Sequence, residues 1–524
     1  MSSLLSTLPL HQPTLPNILL SLLTALTLYL LTLALYRLYL HPLSRFPGPT
    51  LAALTYLYEI HHDVFTTPNG QFATHLNTLH ARYGPIIRCS PDEIHVQDSA
   101  WFDTLIGGPG HVRDKWAKAN RANGSPGSLA SATGHELHRM RRGALNPFFS
   151  KRTVDQLETS IRAKTEKLCA KIAEYAREEK VVELGTAFTA LTLDVITEYC
   201  YDKCQNCLDE EDFAPRWKAL MMQLFESTPV AKHFPIVAQT LASLPRFVVK
   251  YLNPGFVPFF EAQDLIQDQA RQIWLAEQKN PSKPTSEDER PKTIFHGILN
   301  SNLPPQEKSM QRMADEAFVL IVAGGETTAR VATVILANLL QNPTLYQRLR
   351  KEIANVMSGP ELPSTRQLED IPLMRAVVQE GIRIAAPVTS RPMLIAPNEE
   401  MRYKEWVIPR STPTSMTLQS VLFDPEIFPS PHTFDPERWI RAAEEGKRLD
   451  RFLVTFSKGT RMCIGTNVAY AEMYLAVAAL VARFDFEFVD FDMKRDLEVT
   501  RDTFVGMPSK ESRGVRVKVS SVVK

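Results

Sequence analysis

One ten-residue stretch near the end of the chain, Phe456-Ser457-Lys458-Gly459-Thr460-Arg461-Met462-Cys463-Ile464-Gly465, constrains it more than any other. It fits FxxGxRxCxG at all five fixed positions. Average residue frequencies predict such a match on the order of once in ten thousand chains of this length. The spacing has a chemical reason. Cys463 would supply a thiolate to haem iron, a ligand that pushes electron density toward oxygen and favours O–O cleavage. Gly459 and Gly465 would let the backbone turn tightly and approach a flat macrocycle where a Cβ would clash. Arg461, two residues before the thiolate, can meet a haem propionate, and Phe456 opens the motif. The plain alternative is a buried structural cysteine, since free cysteine often packs as a small hydrophobe.

The rest of the chain must supply a core for such a site. It has 524 residues, 44% of them apolar, which is enough for a large core, although length alone suggests about three domains. A formal charge of +1 gives no ground to expect nucleic acid. Ile18 to Tyr36 runs nineteen residues without a charge. As a helix it spans about 28 Å, close to the hydrocarbon thickness of a bilayer. No Lys or Arg precedes Arg37 and no small-residue cleavage site follows, so a cleaved signal peptide is not expected. Arg37 and Arg45 then orient the chain with its bulk in the cytosol. The expected division is a lumenal stretch 1–16, a transmembrane helix 17–37, a stiff proline connector 38–50 and one domain from 51 to 524.

Tyr83 to Arg88 reads as a helix end entering a strand, with Ile94-His95-Val96 as an antiparallel partner across Ser90-Pro91-Asp92. Gly- and Pro-rich residues 107 to 134 form an irregular loop that includes the sequon Asn123-Gly124-Ser125. Arg139, Arg141 and Arg142 make a basic helix between His135 and Lys151. Cys200, Cys204 and Cys207 have the C-x3-C-x2-C spacing of a radical iron–sulfur site, the main rival chemistry. They fall on a helix end without alternating strands and helices around them, and reduced thiols are expected. Phe213 to Trp274 mixes apolar helices and prolines into a surface suited to dipping into a bilayer. Lys279 to Thr293 reads as an exposed loop.

Gln306 to Gln341 has helical periodicity and stops before Pro343. Gly324 and Gly325 in its middle cost about 1 kcal/mol each relative to alanine, so they need a reason. One is a groove in which oxygen and water sit against the haem, with Thr327 holding the proton donor and Glu326 relaying protons. Otherwise Thr327 bonds back to its own helix and the glycines allow close packing.

These motifs together resemble the cytochrome P-450 family of haem-thiolate monooxygenases over about residues 40 to 515. The resemblance implies a mainly α fold with small β-sheets, and haem b held between the long helix and the cysteine loop. Glu380-Gly381-Ile382-Arg383 matches the family's ExxR, and Phe434 to Trp439 its second arginine motif. Glu380, Arg383 and Arg438 would then form a buried network. Arg391 in Ser390-Arg391-Pro392 is expected at a propionate. The family also places a Trp or His four residues before a propionate-binding arginine. Arg141 is taken as that arginine, with Leu137 in the aromatic's place and the part of His138 left open. Leu422 stands where many relatives have histidine. The helix from Asn467 to Arg483 would aim its N-terminal dipole at the thiolate, and the tip of Thr503 to Pro508 would touch substrate.

Local phrasing is similar to the fungal microsomal trichodiene oxygenase group: the Leu40–Pro49 connector, Leu79-His80 with Tyr83 to Arg88, and Leu145 to Phe149. That implies O2-dependent hydroxylation or epoxidation of a hydrophobic sesquiterpenoid-like or polyketide metabolite at the endoplasmic reticulum membrane. A lipid-, sterol- or xenobiotic-oxidising enzyme is one alternative and a non-catalytic membrane haem protein another. No dinucleotide fingerprint follows a strand, so electrons are expected from a separate NADPH-cytochrome reductase. It would dock on a face made basic by Arg139, Arg142, Lys151, Arg152 and Lys458.

Overall fold

The uncharged N-terminal run forms an α-helix over Leu15–Leu35 that widens into a π-turn over Tyr36–Leu40, and none of it is buried against the rest of the protein. At 26 residues it is long and apolar enough to cross a membrane. The computed structural model describes residues 14–121, 124–201, 203–252, 257–279, 293–359 and 361–523. Most of the stretch expected to be lumenal (residues 1–13 of 1–16), the sequon's Asn123, Asn253-Pro254 and most of the loop expected at Lys279–Thr293 lie outside the described residues.

The connector is bolted to the first sheet. The Arg88 backbone N–H donates to the Pro47 carbonyl at 2.7 Å, and Arg88 Nη1 donates to the Arg37 carbonyl at 2.7 Å. Gly48 makes this contact possible. Its φ is +153°, and a Cβ there would lie 2.5 Å from the Arg88 carbonyl oxygen.

The predicted hairpin is present, Ile86–Arg88 pairing antiparallel with Ile94–Val96 in the register Ile87↔His95. It is one edge of a five-stranded sheet that continues through Thr414–Ser415, Met393–Ile395 and Asp114–Lys115. A second sheet joins Val182–Glu183, Arg516–Val522 and Phe484–Phe488. Near the C-terminus Arg501–Thr503 and Val505–Met507 form a tight hairpin turned at Phe504, whose φ is +84°.

Everything else packs around the long helix Met310–Gln341. Ser309 caps it, its hydroxyl accepting from the Arg312 N–H, and Pro343 opens the next helix. Against it lie helices Leu184–Tyr201, Val257–Lys279, Pro372–Ala385 and Thr466–Arg483. The first of the last two is amphipathic and the second predominantly apolar, and they supply much of the main core. The basic stretch is helical only at first, and the helix ends just before Pro147. It covers His135–Leu145, gives way to a 3-10 turn at Asn146–Phe149, and restarts at Lys151 after the Ser150 cap.

Candidate active site

The loop from Phe456 to Gly465 folds back on itself. The Cys463 N–H donates to the Phe456 carbonyl at 2.8 Å, and the Met462 N–H donates to the Gly459 carbonyl at 3.2 Å. Cys463 is exposed, whereas Cys89, Cys169, Cys200 and Cys207 are buried and Cys204 is half-buried. Although Cys463 is open on one side, the protein atoms packed around its sulfur push the thiol up by desolvation, while the Gly465 N–H, the Thr466 hydroxyl and Arg142 pull it down. The helix Thr466–Arg483 starts directly behind it, as expected. Phe456 packs at a tilt on Tyr470, ring centres 5.6 Å apart. Gly459 needs its glycine, with φ +65° and a would-be Cβ 2.8 Å from Ile106 Cγ2 and 3.0 Å from the Gly107 carbonyl. A Cβ at Gly465 would meet only the Cys463 sulfur, at 3.9 Å.

Cations gather beside this loop. Arg461 donates to the carbonyls of Arg113, Ala132 and Thr133 at 3.1, 2.8 and 2.6 Å. Lys115 donates to the Ala130 carbonyl at 2.6 Å, and Arg142 to the Met462 carbonyl at 2.5 Å. Among the described residues none of the three forms an ion pair with a carboxylate. Burial and mutual repulsion show in their titration: Lys115 falls to about 8, through burial and then Arg461. His138 falls to about 3, through burial and then Arg461, Lys115, Arg142 and His135. A cluster of half-buried cations held only by carbonyl dipoles fits an anionic group such as a haem propionate.

Arg141 is not part of this cluster, which corrects the sequence reading by one residue. It is buried against Glu307, at 2.7 and 3.1 Å, and donates to the Ser128 carbonyl at 2.9 Å. Successive helix residues point about 100° apart, so only Arg142 can reach the cysteine loop. The i, i+4 pair that fits the family's spacing is therefore His138 and Arg142. Arg391 is likewise committed elsewhere. Its guanidinium bonds Glu93 at 2.8 and 3.0 Å and Glu59 at 2.8 Å, deep in a separate ion cluster.

On the long helix the two glycines serve packing, the alternative given above. A Cβ at Gly324 would come within 3.1 Å of Ile196, and one at Gly325 within 2.7 Å of Met221 and 3.0 Å of Leu193. The opening is instead at Ala323, which is exposed in the middle of an otherwise buried helix. Thr327, one turn on, bonds back to the Ala323 carbonyl at 2.8 Å. Glu326 is buried and accepts from the Thr189 hydroxyl at 3.2 Å. Burial raises its pKa to about 7 against the opposing pull of Lys218 and Arg330.

The network behind the loop forms in full. Arg383 forks onto Glu380 at 2.8 and 2.9 Å, and Arg438 joins at 3.1 Å. The Leu422 main-chain carbonyl accepts from Arg383 at 2.8 Å, and its side chain is buried in the core. The three clustered cysteines are thiols with no metal geometry. Burial raises all of them, Cys204 to about 11. Among the described residues the one His/Cys/Asp/Glu group close enough to hold a metal is Glu59, Asp63 and His233. The expected substrate contact has a partner: Phe504, at the hairpin tip, stacks on Phe225 at 6.3 Å.

The sequence matches the family model described as Cytochrome P450 over residues 54–513. Conidiogenone synthase PchP450 of Penicillium rubens is 37% identical over 94% of this chain and 96% of its own length. Cytochrome P450 monooxygenase TRI4 of Trichoderma arundinaceum is 35% identical over 94% and 95%. Among solved structures, retinoic acid-bound cyanobacterial CYP120A1 superposes with a TM-score of 0.67 at 20% identity, over 88% of this chain and 96% of that one.

Proposed function

The chain belongs to the cytochrome P450 family of monooxygenases, and from that premise we propose that it inserts one atom of O2 into a hydrophobic fungal secondary metabolite, terpenoid-like or polyketide in class. The observation that carries the reading is the exposed Cys463 thiol beside a cluster of cations without carboxylate partners. Cys463 would hold haem b there, and the group would supply the chemistry of O2 reduction and cleavage. Arg461, Arg142 and Lys115 hold its propionates, with the neutral His138 imidazole among them. Ala323 leaves room on the long helix, and Phe225 with Phe504 presents an apolar wall to substrate. The Leu15–Leu40 helix anchors the enzyme on the endoplasmic reticulum with its catalytic domain in the cytosol. A separate NADPH-dependent reductase supplies electrons. Arg139, Lys151 and Lys458 pair with Glu136, Glu369 and Asp103, and Arg142 is assigned to a propionate, so Arg152 carries most of any docking field.

The propionate assignment separates two neighbouring arginines. Arg142→Ala is expected to speed haem loss to an acceptor globin about tenfold, the worth of one charge-assisted hydrogen bond. Arg141→Ala is expected to leave that rate unchanged and lower thermal stability, because Glu307 loses its two-pronged partner and keeps only Arg312, at 3.4 Å. Equal haem loss in the two variants would contradict the corrected register.

Glu326 and Thr327 deliver protons. A carboxyl titrating near 7 can both take and give a proton at cellular pH. It holds its proton below about 7 and loses it above, so product formed per NADPH should fall as pH rises through neutrality. Glu326→Gln should be poorly coupled at every pH and lose that dependence, while Thr327→Ala should divert electrons to peroxide. Unchanged coupling in both variants would sink the relay.

A further inference from the structure

A cleft of about 1110 Å³ runs along the C-terminal part of the long helix, large enough for a small molecule. Arg330, Val334, Asn338 and Gln341 line it, a spacing that puts all four on one helix face. At 1.5 Å per residue they span about 16 Å. The opposite walls are drawn from residues 97–99, 417–426 and 493–499. Among the described residues, nothing of the loop 456–465 lines the cleft, and neither does Ala323 or Thr327. It is a separate space from the haem site.

Arg330 is the one arginine or lysine in these walls among the described residues, and it forms no ion pair there. Its guanidinium donates to the Leu497 carbonyl at 2.5 Å, and Nε has no partner. The carboxylates of Asp98 and Asp424 are already satisfied by neutral donors. Asp98 accepts from the Ala100 N–H and the Tyr403 hydroxyl, both at 3.0 Å. Asp424 accepts from the Ser99 hydroxyl at 2.5 Å and the Glu426 N–H at 3.0 Å. Glu426 and Glu498 are exposed, where salt screens them. A guanidinium partly withdrawn from water and left unpaired is costly. A carboxylate, which its planar fork can grip through two N–H groups, offsets that cost.

The walls also present acceptors. The Gly84 carbonyl, 2.8 Å from His80 Nδ1, fixes the hydrogen on that nitrogen, so His80 Nε2 accepts from His95 Nδ1 at 2.7 Å. His95 Nε2 is therefore bare and accepts from the Thr417 hydroxyl at 3.0 Å. Burial keeps both imidazoles neutral, lowering His80 to about 4 and His95 well below its ordinary value. With its hydrogen committed to His95, Thr417 has only lone pairs for the cleft, and Gln97 Oε1 is without a partner. We propose that this cleft is a second binding site, for a small hydroxylated organic anion. Its carboxylate meets Arg330, and its hydroxyl groups donate to acceptors such as Thr417 and Gln97.

Occupancy is felt one helix turn away. Glu326 lies four residues before Arg330, on the same helix face. Burial pushes its carboxyl up; Lys218, Arg330 and the Thr189 hydroxyl pull it down, and Glu183 pushes it up again. A carboxylate bound to Arg330 weakens one of those pulls, so Glu326 keeps its proton to higher pH. Linkage makes the effect reciprocal: the anion binds more tightly once Glu326 is protonated, that is, as pH falls through about 7. The consequence for turnover rests on the proton relay proposed at Glu326, whereas the site itself rests on the cleft.

The test titrates gluconate into full-length holoprotein in a calorimeter, with glucose as the uncharged control. Wild type is expected to bind one gluconate, and glucose at least about tenfold more weakly. Arg330→Met, which removes the charge and keeps the length, should weaken gluconate at least about tenfold. Asn338→Phe, which fills the cleft from the same helix face, should do likewise with Arg330 intact. Between about pH 8 and about pH 6, where a carboxylic acid stays ionised, wild-type affinity should rise, and in Glu326→Gln it should not. A rise that persists in Glu326→Gln and vanishes in His432→Gln, the one imidazole in the walls, would overturn the coupling to Glu326. Wild type that binds no gluconate at about 10 mM, or binding that is equal in Arg330→Met, would overturn the site. Failure of the relay is distinguishable, because Glu326→Gln and Thr327→Ala would then stay fully coupled while gluconate still binds at Arg330.

Discussion

Replacing Cys463 with alanine is expected to abolish the ferrous carbonyl absorbance characteristic of thiolate ligation while leaving the polypeptide folded. The side chain is exposed and supports no packing. The loop is held by main-chain groups that alanine keeps, the Cys463 N–H on the Phe456 carbonyl at 2.8 Å and the Cys463 carbonyl under the Thr466 hydroxyl at 2.9 Å. The intrinsic stability change should therefore stay within about 0.5 kcal/mol, as for most substitutions that touch no core contact. Any further loss of melting temperature reports only the missing ligand. Cys200→Ala and Cys204→Ala provide the contrast: their thiols are held protonated by burial, and the band should remain. A thiolate-type spectrum surviving in Cys463→Ala would remove the cysteine loop from the site and return the three clustered cysteines to consideration.

What the sequence revealed and what it concealed divide along contact distance. The cysteine motif, the ExxR pair and the first hairpin are local patterns, and each adopts the conformation its residues favour. The misplaced residues are those whose role is set by a partner far along the chain. Arg141 and Arg142 are indistinguishable in a basic helix until Glu307 and Met462 claim one each. The spacing of His138 to Arg142 was the available signal, obscured by the adjacent arginine. Gly324 and Gly325 suggest a groove because glycine interrupts a helix, but Ile196, Leu193 and Met221 fill the space above them. Arg391 lies in a motif that says nothing of Glu59 and Glu93, some three hundred residues earlier. The five-stranded sheet was equally hidden, since three of its strands are short pieces from distant parts of the chain.

Removing the charge of Glu380 should do more damage to the fold than any other single change considered above. Its two carboxylate oxygens accept from Arg383 twice, from Arg438, from the Trp439 indole and from the Asp435 N–H, all at 2.8 to 3.1 Å. With Glu380 and Arg383 both 0% exposed, no water replaces a lost partner. The arginines have a second task. Arg383 donates to the carbonyls of Leu422 and Pro431, and Arg438 to those of Pro429 and Thr433. These carbonyls lie in an irregular segment between the helix Leu418–Leu422 and the helix Glu437–Glu444, where backbone ladders cannot satisfy them. Glu380→Gln leaves two guanidinium groups buried without compensation, which costs about 3–5 kcal/mol out of a typical total of about 5–15 kcal/mol. The expected result is a large fall in soluble yield and in the guanidinium chloride midpoint followed by tryptophan fluorescence. Haem incorporation should be lost with it, because the disturbed segment leads through the helix Glu437–Glu444 to the cysteine loop. Asp450→Asn, which breaks the exposed pair with Arg448 at 2.7 Å, should leave the midpoint where it is. If Glu380→Gln unfolds at the wild-type midpoint, the network is not what holds the loop in place, and the apolar helices on either side must carry it.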